Sequence, residues 1–282
     1  MKKYGLLTLA IAFGLLSISL PITIRSTNAQ NTTRDFVPPS VFQAAGKDVA
    51  SIQSSVDAFR AALGNPNNGN GGPMDTGRRE INWDGVGGAD TTTTVPVTPF
   101  NVFLNTRGSQ FTTPGIGLTQ APASGGLQGG LAVLFNNPSY GTILKPFSNM
   151  RLFTPVGSNI TEALFFRPGS NGSIPATVTG FGAVFTDVDQ PDGSGPGEKR
   201  GNRGASTLME FFGVNGELLF SSFVPASPGD GSQSFFGVKF NDARIARVKI
   251  TTGDVAPGPD DDSNNDIVVM DDFIYGEPKA LP

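Results

Sequence analysis

The strongest constraint on the fold is punctuation. From Arg79 onward the apolar residues come in strand-length runs, rich in Phe and Leu, and Gly, Pro or Asn closes nearly every one. Glycine (37) and proline (22) together make about a fifth of the chain, against roughly an eighth in average proteins. A helical domain does not survive so many breakers, whereas an all-β domain uses them as turns. The clearest unit is STLMEFFGVNGELLFSSFVPA, in which two apolar arms flank Asn215-Gly216, a dipeptide suited to a type I′ hairpin turn. In TGFGAVFTDVD, Phe181, Ala183 and Phe185 alternate with Gly182 and Val184, the period of a strand with one face in a core. Residues 235–240, 245–251 and 267–275 give three more strands, and shorter runs at 102–104, 131–135, 152–153 and 163–166 add to them. The expected fold is mainly β: an antiparallel two-layer β-sandwich of jelly-roll type.

One helix is expected before the sandwich. Val49, Ile52, Val56, Phe59 and Leu63 recur at three- and four-residue spacing, Ser40 is a candidate cap, and Gly64 stops the run. Such an amphipathic helix must dock on the sandwich that comes after it. The next stretch, GNPNNGNGGP, is too polar and glycine-rich for regular structure and is expected as a surface loop. The organisation expected is a signal peptide over residues 1–29, a helix and loop over 30–78, and the sandwich over 79–282.

The signal peptide is inferred from Lys2 and Lys3, the apolar run 6–20, and the small residues Thr27 and Ala29 before a cut at Gln30. An uncleaved membrane anchor is the alternative. Cleavage removes Lys2, Lys3 and Arg25 and takes the net charge from −4 to about −7, the wrong sign for nucleic acid or anionic membrane. The chain contains no cysteine and no histidine. Disulfides, thiolate nucleophiles, serine–histidine triads and histidine-bound zinc are thereby excluded. Carboxylates, Lys, Arg, Tyr and hydroxyls remain, a set suited to hard cations or to carboxylate-pair catalysis.

Acids concentrate in PDDDSNNDIVVMDDFIYGEP. Asp260, Asp262, Asn264, Asp266 and Asp271 occupy the first, third, fifth, seventh and twelfth positions of a calcium-loop spacing. Asn265 replaces the usual glycine, and the β-branched run after it removes the exiting helix, so an EF-hand is rejected and an oxygen-ligand loop at a sandwich edge is kept. Asp272 should face away from Asp271 unless a bulge intervenes. Asp187 and Asp189, two apart at the end of a strand, form a second candidate oxygen site or join the first. The alternative for both groups is a hydrated acidic turn.

The chain's only tryptophan lies in GRREINWDGV. Trp83, with Asp84 and Arg79, could stack on and hydrogen-bond a polyol; the alternative is a core tryptophan. The basic stretch GEKRGNRG carries too few cations to define a patch.

At FQAAGKDVASIQSSVDAFRAALGNPNNGN, GRREINWDGV, GFGAVFTDVD, SFVPASPGD and IVVMDDFIYGEP the chain resembles a group of uncharacterised secreted bacterial proteins, over nearly all of the sequence after the signal peptide. This resemblance carries no catalytic residues with it. The strand VVMDDFIYG is also similar to the closing strand of jelly-roll carbohydrate-binding and adhesion modules, which implies that nearby acids hold a structural calcium. The expected function is a secreted, non-catalytic binding or adhesion module for extracellular polysaccharide. The competing classes are a carboxylate-dependent glycoside hydrolase and a structural envelope or matrix protein.

Overall fold

A computed structural model describes residues 37–84, 93–126, 128–189, 207–259 and 265–281. The expected signal peptide and the GEKRGNRG stretch lie outside these. Pro38–Pro282 forms one compact unit, which contains every element of the fold. Among the described residues no helix is long and apolar enough to cross a membrane.

In chain order the elements are β1 (Ser40–Gly46), α1 (Val49–Leu63), β2 (Arg78–Ile81), β3 (Thr93–Val97), α2 (Leu104–Arg107), β4 (Ser109–Thr112) and β5 (Gly117–Pro122). Next come α3 (Gly130–Leu134), α4 (Tyr140–Ile143), β6 (Arg151–Val156), β7 (Ile160–Phe165), β8 (Ala176–Thr177) and β9 (Gly180–Thr186). The chain continues with β10 (Leu208–Phe212), β11 (Leu218–Phe223), β12 (Gln233–Lys239), β13 (Arg247–Thr251), β14 (Val269–Gly276) and β15 (Lys279–Ala280). The first sheet runs β1-β12-β9-β14-β6-β5-β3, with β2 pairing the C-terminal half of β14, and the second runs β11-β10-β13-β7-β4. Every strand pair in both is antiparallel, and the two sheets pack face to face as a β-sandwich.

The expected hairpin is β10–β11, with Gly216 at φ 79° in its turn. Two shorter runs expected as strands are different: 102–104 leads into α2, and 131–135 forms most of α3 and its C-cap Phe135. Residues 40–46 also depart from expectation. Ser40 opens strand β1, and the helix is capped eight residues later by Asp48, whose carboxylate accepts the Ser51 N–H at 3.0 Å. The pairing that makes β1 a strand is with β12, nearly two hundred residues away, so no local signal announces it.

Phenylalanines fill the space between the sheets. Phe153, Phe181, Phe185, Phe236 and Phe273 from the first meet Phe111, Phe165 and Phe211 from the second, all buried. Each such ring stabilises by about 1.5–3 kcal/mol. The two sheets differ in their outer faces. In β7, β10 and β13 buried residues alternate with half-buried ones, so the outer face of the second sheet meets solvent. In β9 and β14 every residue is buried, because α1 and the α3–α4 segment cover the outer face of the first sheet.

Helix α1 docks through Ile52, Val56, Phe59 and Leu63 against Val184, Phe235 and Ile274. The sheet makes room for Phe59 with two glycines directly opposite one another, Gly182 on β9 and Gly237 on β12. A Cβ on Gly182 would lie 2.9 Å from the Phe59 ring, and one on Gly237 3.1 Å from it. The glycine between Phe181 and Ala183 is therefore a socket for a helix side chain.

Candidate functional site

The three residues expected to take a sugar are placed in the core and its supports. Trp83 is 1% exposed, stacked on Phe153 at 3.7 Å and edge-on to Phe100, Phe103, Phe111 and Phe273. No ring face is left for a ligand, and the core alternative holds. Its φ of 64° is rare for so large a side chain, and the surrounding rings keep it there.

Arg79 is fully buried. Its Nε and Nη2 donate to the two carboxylate oxygens of Glu277 at 2.6 and 2.7 Å, and its remaining N–H groups reach the carbonyls of Gly69, Gly71, Gly72 and Thr106. Glu277 also accepts from Asn68 Nδ2 at 2.7 Å and from the Met74 N–H at 3.1 Å. The Gly/Asn-rich loop is thus wound around one guanidinium, and Arg79 has no donor left for a ligand. Asp84 is half-buried, and its Oδ1 accepts the backbone N–H groups of Met150 and Arg151 at 3.2 and 2.9 Å.

Of the candidate metal ligands, Asp260, Asp262 and Asn264 lie outside the described residues. Asp187, Asp189 and Asp266 gather at one end of the first sheet, where Thr186 of β9 pairs with Val269 of β14. The Asp189 N–H donates to Asp266 Oδ1 at 3.3 Å, and the Asp266 N–H donates to Asp254 Oδ1 at 2.8 Å. Burial raises the Asp189 carboxyl above its ordinary value, against the Gly229 N–H bond, and the charge of Asp230 adds to the rise. Asp271, on β14 opposite Val184 of β9, has its carboxylate committed to the backbone at 147–148 instead. Among the described residues no three acids are arranged to hold one metal ion.

Asp271 holds a turn. Its Oδ2 accepts the N–H groups of Phe147 and Ser148 at 2.7 and 3.1 Å, so Asp271 and Asp84 grip the two ends of the segment 147–151. The register of β14 against β9 slips between Asp271 and Phe273, which makes Asp272 a bulge residue. Asp272 reaches Arg60 on α1 at 3.3 Å, and Arg60 reaches Glu80 on β2 at 2.9 Å. Burial raises both carboxyls, and the Asp272 charge raises Asp271 further.

The surface best suited to meet another molecule carries none of the residues expected for it. Two rows cross the open face of the second sheet, with partners fixed by strand register. One is Leu218, Phe212, Arg247, Leu164 and Gln110; the other is Ser221, Glu210, Lys249, Glu162 and Thr112. The Arg247 guanidinium lies over the Phe212 ring at 4.0 Å and pairs with Glu162, while Lys249 pairs with Glu210 at 3.0 Å. The half-buried alternation in EFF and RVKIT signals such a face, but only the finished sheet aligns its members. No family model, curated protein or solved structure matches the chain.

Proposed function

We propose that the protein is a secreted, non-catalytic binding or adhesion module that takes extracellular polysaccharide on the open face of its second sheet. The two parallel rows carry this reading. They cross five strands, about 19 Å, and lie about 7 Å apart along the strands. The Phe212–Arg247 row offers an apolar and cationic platform for the C–H faces of sugar rings, and the Glu210–Lys249–Glu162 row offers donors and acceptors to hydroxyls. The pairing of each cation with an acid leaves the face close to neutral, as an uncharged polymer requires. Three acids support the non-catalytic part of the reading, since the buried Glu277 and Asp271 and the half-buried Asp84 each bind arginine or backbone N–H groups of their own chain.

Calcium enters this reading as a structural ion at the end where Asp189 and Asp266 meet. Adjacent carboxylates repel unless a cation offsets them, and millimolar extracellular calcium fills even weak sites.

A polysaccharide array, run with calcium and again with chelator, tests both parts. Retention of a glycan without release of product, lost in Phe212→Ala and Arg247→Ala, is expected. Silence on every glycan removes the binding reading, and an unchanged thermal midpoint with calcium or chelator removes the ion.

A further inference from the structure

Among the described residues the two sheets end on five strands: β1, β3 and β2, which pairs only with β14, in the first, and β11 and β4 in the second. Proteins blunt such edges with proline, charge, bulges or short length, because an open edge pairs with any suitable strand. Four of the five are blunted, β2 by its length of four residues and by the bridge from Asn67 to Arg78 on its outer side. β3 carries Pro96 and a broken register with β5; β11 is bulged opposite Phe211 and Phe212; β4 is four residues long and is flanked by a bridge from Phe100 to Phe111. β1 carries none of these devices. Its seven residues, SVFQAAG, contain no charge and no proline and pair with β12 in unbroken register, and among the described residues nothing pairs with its other edge.

A second observation concerns the helix beside it. Helix α1 packs on β1 and β12, and its outward positions Ala50, Ser51, Ser54, Ala58 and Ala61 are small and uncharged. The charges on that helix, Asp57 and Arg60, pair with each other at 3.2 Å. An ordinary solvent-facing helix carries Lys and Glu at such positions.

We infer that β1 is the docking edge for a second copy of this chain, the two β1 strands pairing antiparallel about a two-fold axis at Gln43. The sequence of the strand is self-complementary in that register. Phe42 falls opposite Ala44 of the second copy, Val41 opposite Ala45 and Ser40 opposite Gly46, a larger residue against a smaller each time. Residues that face each other lie on the same side of the sheet, so the half-buried Phe42 is covered by the second copy on the side where α1 lies. No like charges meet, because Lys47 falls opposite Pro39. Pro38 and Pro39 lack N–H donors and stop the pairing at Ser40. Each copy has one such open edge among the described residues, so the assembly closes as a dimer and does not grow into a fibre. An edge strand alone falls short of the roughly 1,000 Å² of a specific interface, and the small-residue surfaces of the two α1 helices supply the remainder.

The absence of native cysteine provides the test. In the expected register Gln43 is opposite itself, with Cα atoms about 4.5–5.5 Å apart, so Gln43→Cys forms an intermolecular disulfide under mild oxidation. The control, Ser40→Cys, places its two thiols about 20 Å apart and stays reduced. Light scattering of the purified wild type is expected to give the dimer mass. Gln43→Lys sets two ammonium groups side by side at the axis and weakens the dimer by about tenfold or more in Kd. Because Gln43 is exposed, the circular dichroism of Gln43→Lys remains that of the wild type. A monomeric wild type overturns the proposal, whether or not some other protein supplies a strand. Equal crosslinking of the two cysteine variants, or a Gln43→Lys dimer of unchanged affinity, overturns it as well.

Discussion

Arg79 and Glu277, 198 residues apart in sequence, meet in a two-pronged ion pair at 2.6 and 2.7 Å with both side chains buried. Removing either partner leaves the other charge uncompensated in the interior. Glu277→Gln or Arg79→Met is therefore expected to cost about 3–5 kcal/mol in urea unfolding, and the loop 64–73 to become the first site of proteolysis. The double variant, with no charge stranded, is expected to lose less than the sum.

The glycine socket gives a second prediction. Gly182→Ala drives its new methyl into Phe59 and the Gly237 backbone and is expected to cost about 1–3 kcal/mol by lifting α1 from the sheet. Adding Phe59→Leu, which shortens the helix side chain, recovers part of that loss. Purely additive costs in this pair would show that the helix does not seat there.

Trp83 is the chain's only tryptophan, so its emission reports one place. Acrylamide is expected to quench it only weakly in the folded protein and strongly after unfolding. A bound glycan on the second sheet leaves the emission wavelength unchanged.

Acidity acts in opposite directions at two sites. Asp271 and Asp272 have raised carboxyl pKa values in the fold, chiefly through burial. The folded chain holds their protons more tightly than the unfolded chain, where the value is about 3.9. Their contribution to stability is complete below that value and is lost as pH rises through the raised one. Asp272→Asn imitates the protonated form, so it is expected to raise the urea midpoint near neutral pH, by a margin that shrinks toward about pH 4. Asp48 behaves in reverse. The Ser51 hydroxyl and N–H hold it below the ordinary value, so its contribution is present above about pH 3.9 and disappears as pH falls.

The sequence made legible what depends on near neighbours. Asn215-Gly216 set the hairpin, the spacing from Ile52 to Leu63 set the helix face, and the alternation in GFGAVFT set the strand. It concealed what depends on distant pairing. SVFQAAG becomes a strand because β12 offers seven partners, and Gly182 is a socket because Gly237 and Phe59 arrive from elsewhere. Residue types alone also misdirected the site. Trp83 and Arg79 have the chemistry of a ligand platform, and burial commits that chemistry inward. The members of the solvent-facing rows, each unremarked in its own segment, become neighbours only across strands.

One consequence concerns synthesis. β14 lies in the interior of the first sheet, with β9 on one edge and β6 and β2 on the other, and every other strand of that sheet precedes it. Until β14 has been synthesised, β9 and β6 have no bridge between them, and Arg79 awaits its counter-ion from just beyond that strand. The two halves of that sheet cannot lock until this keystone strand emerges.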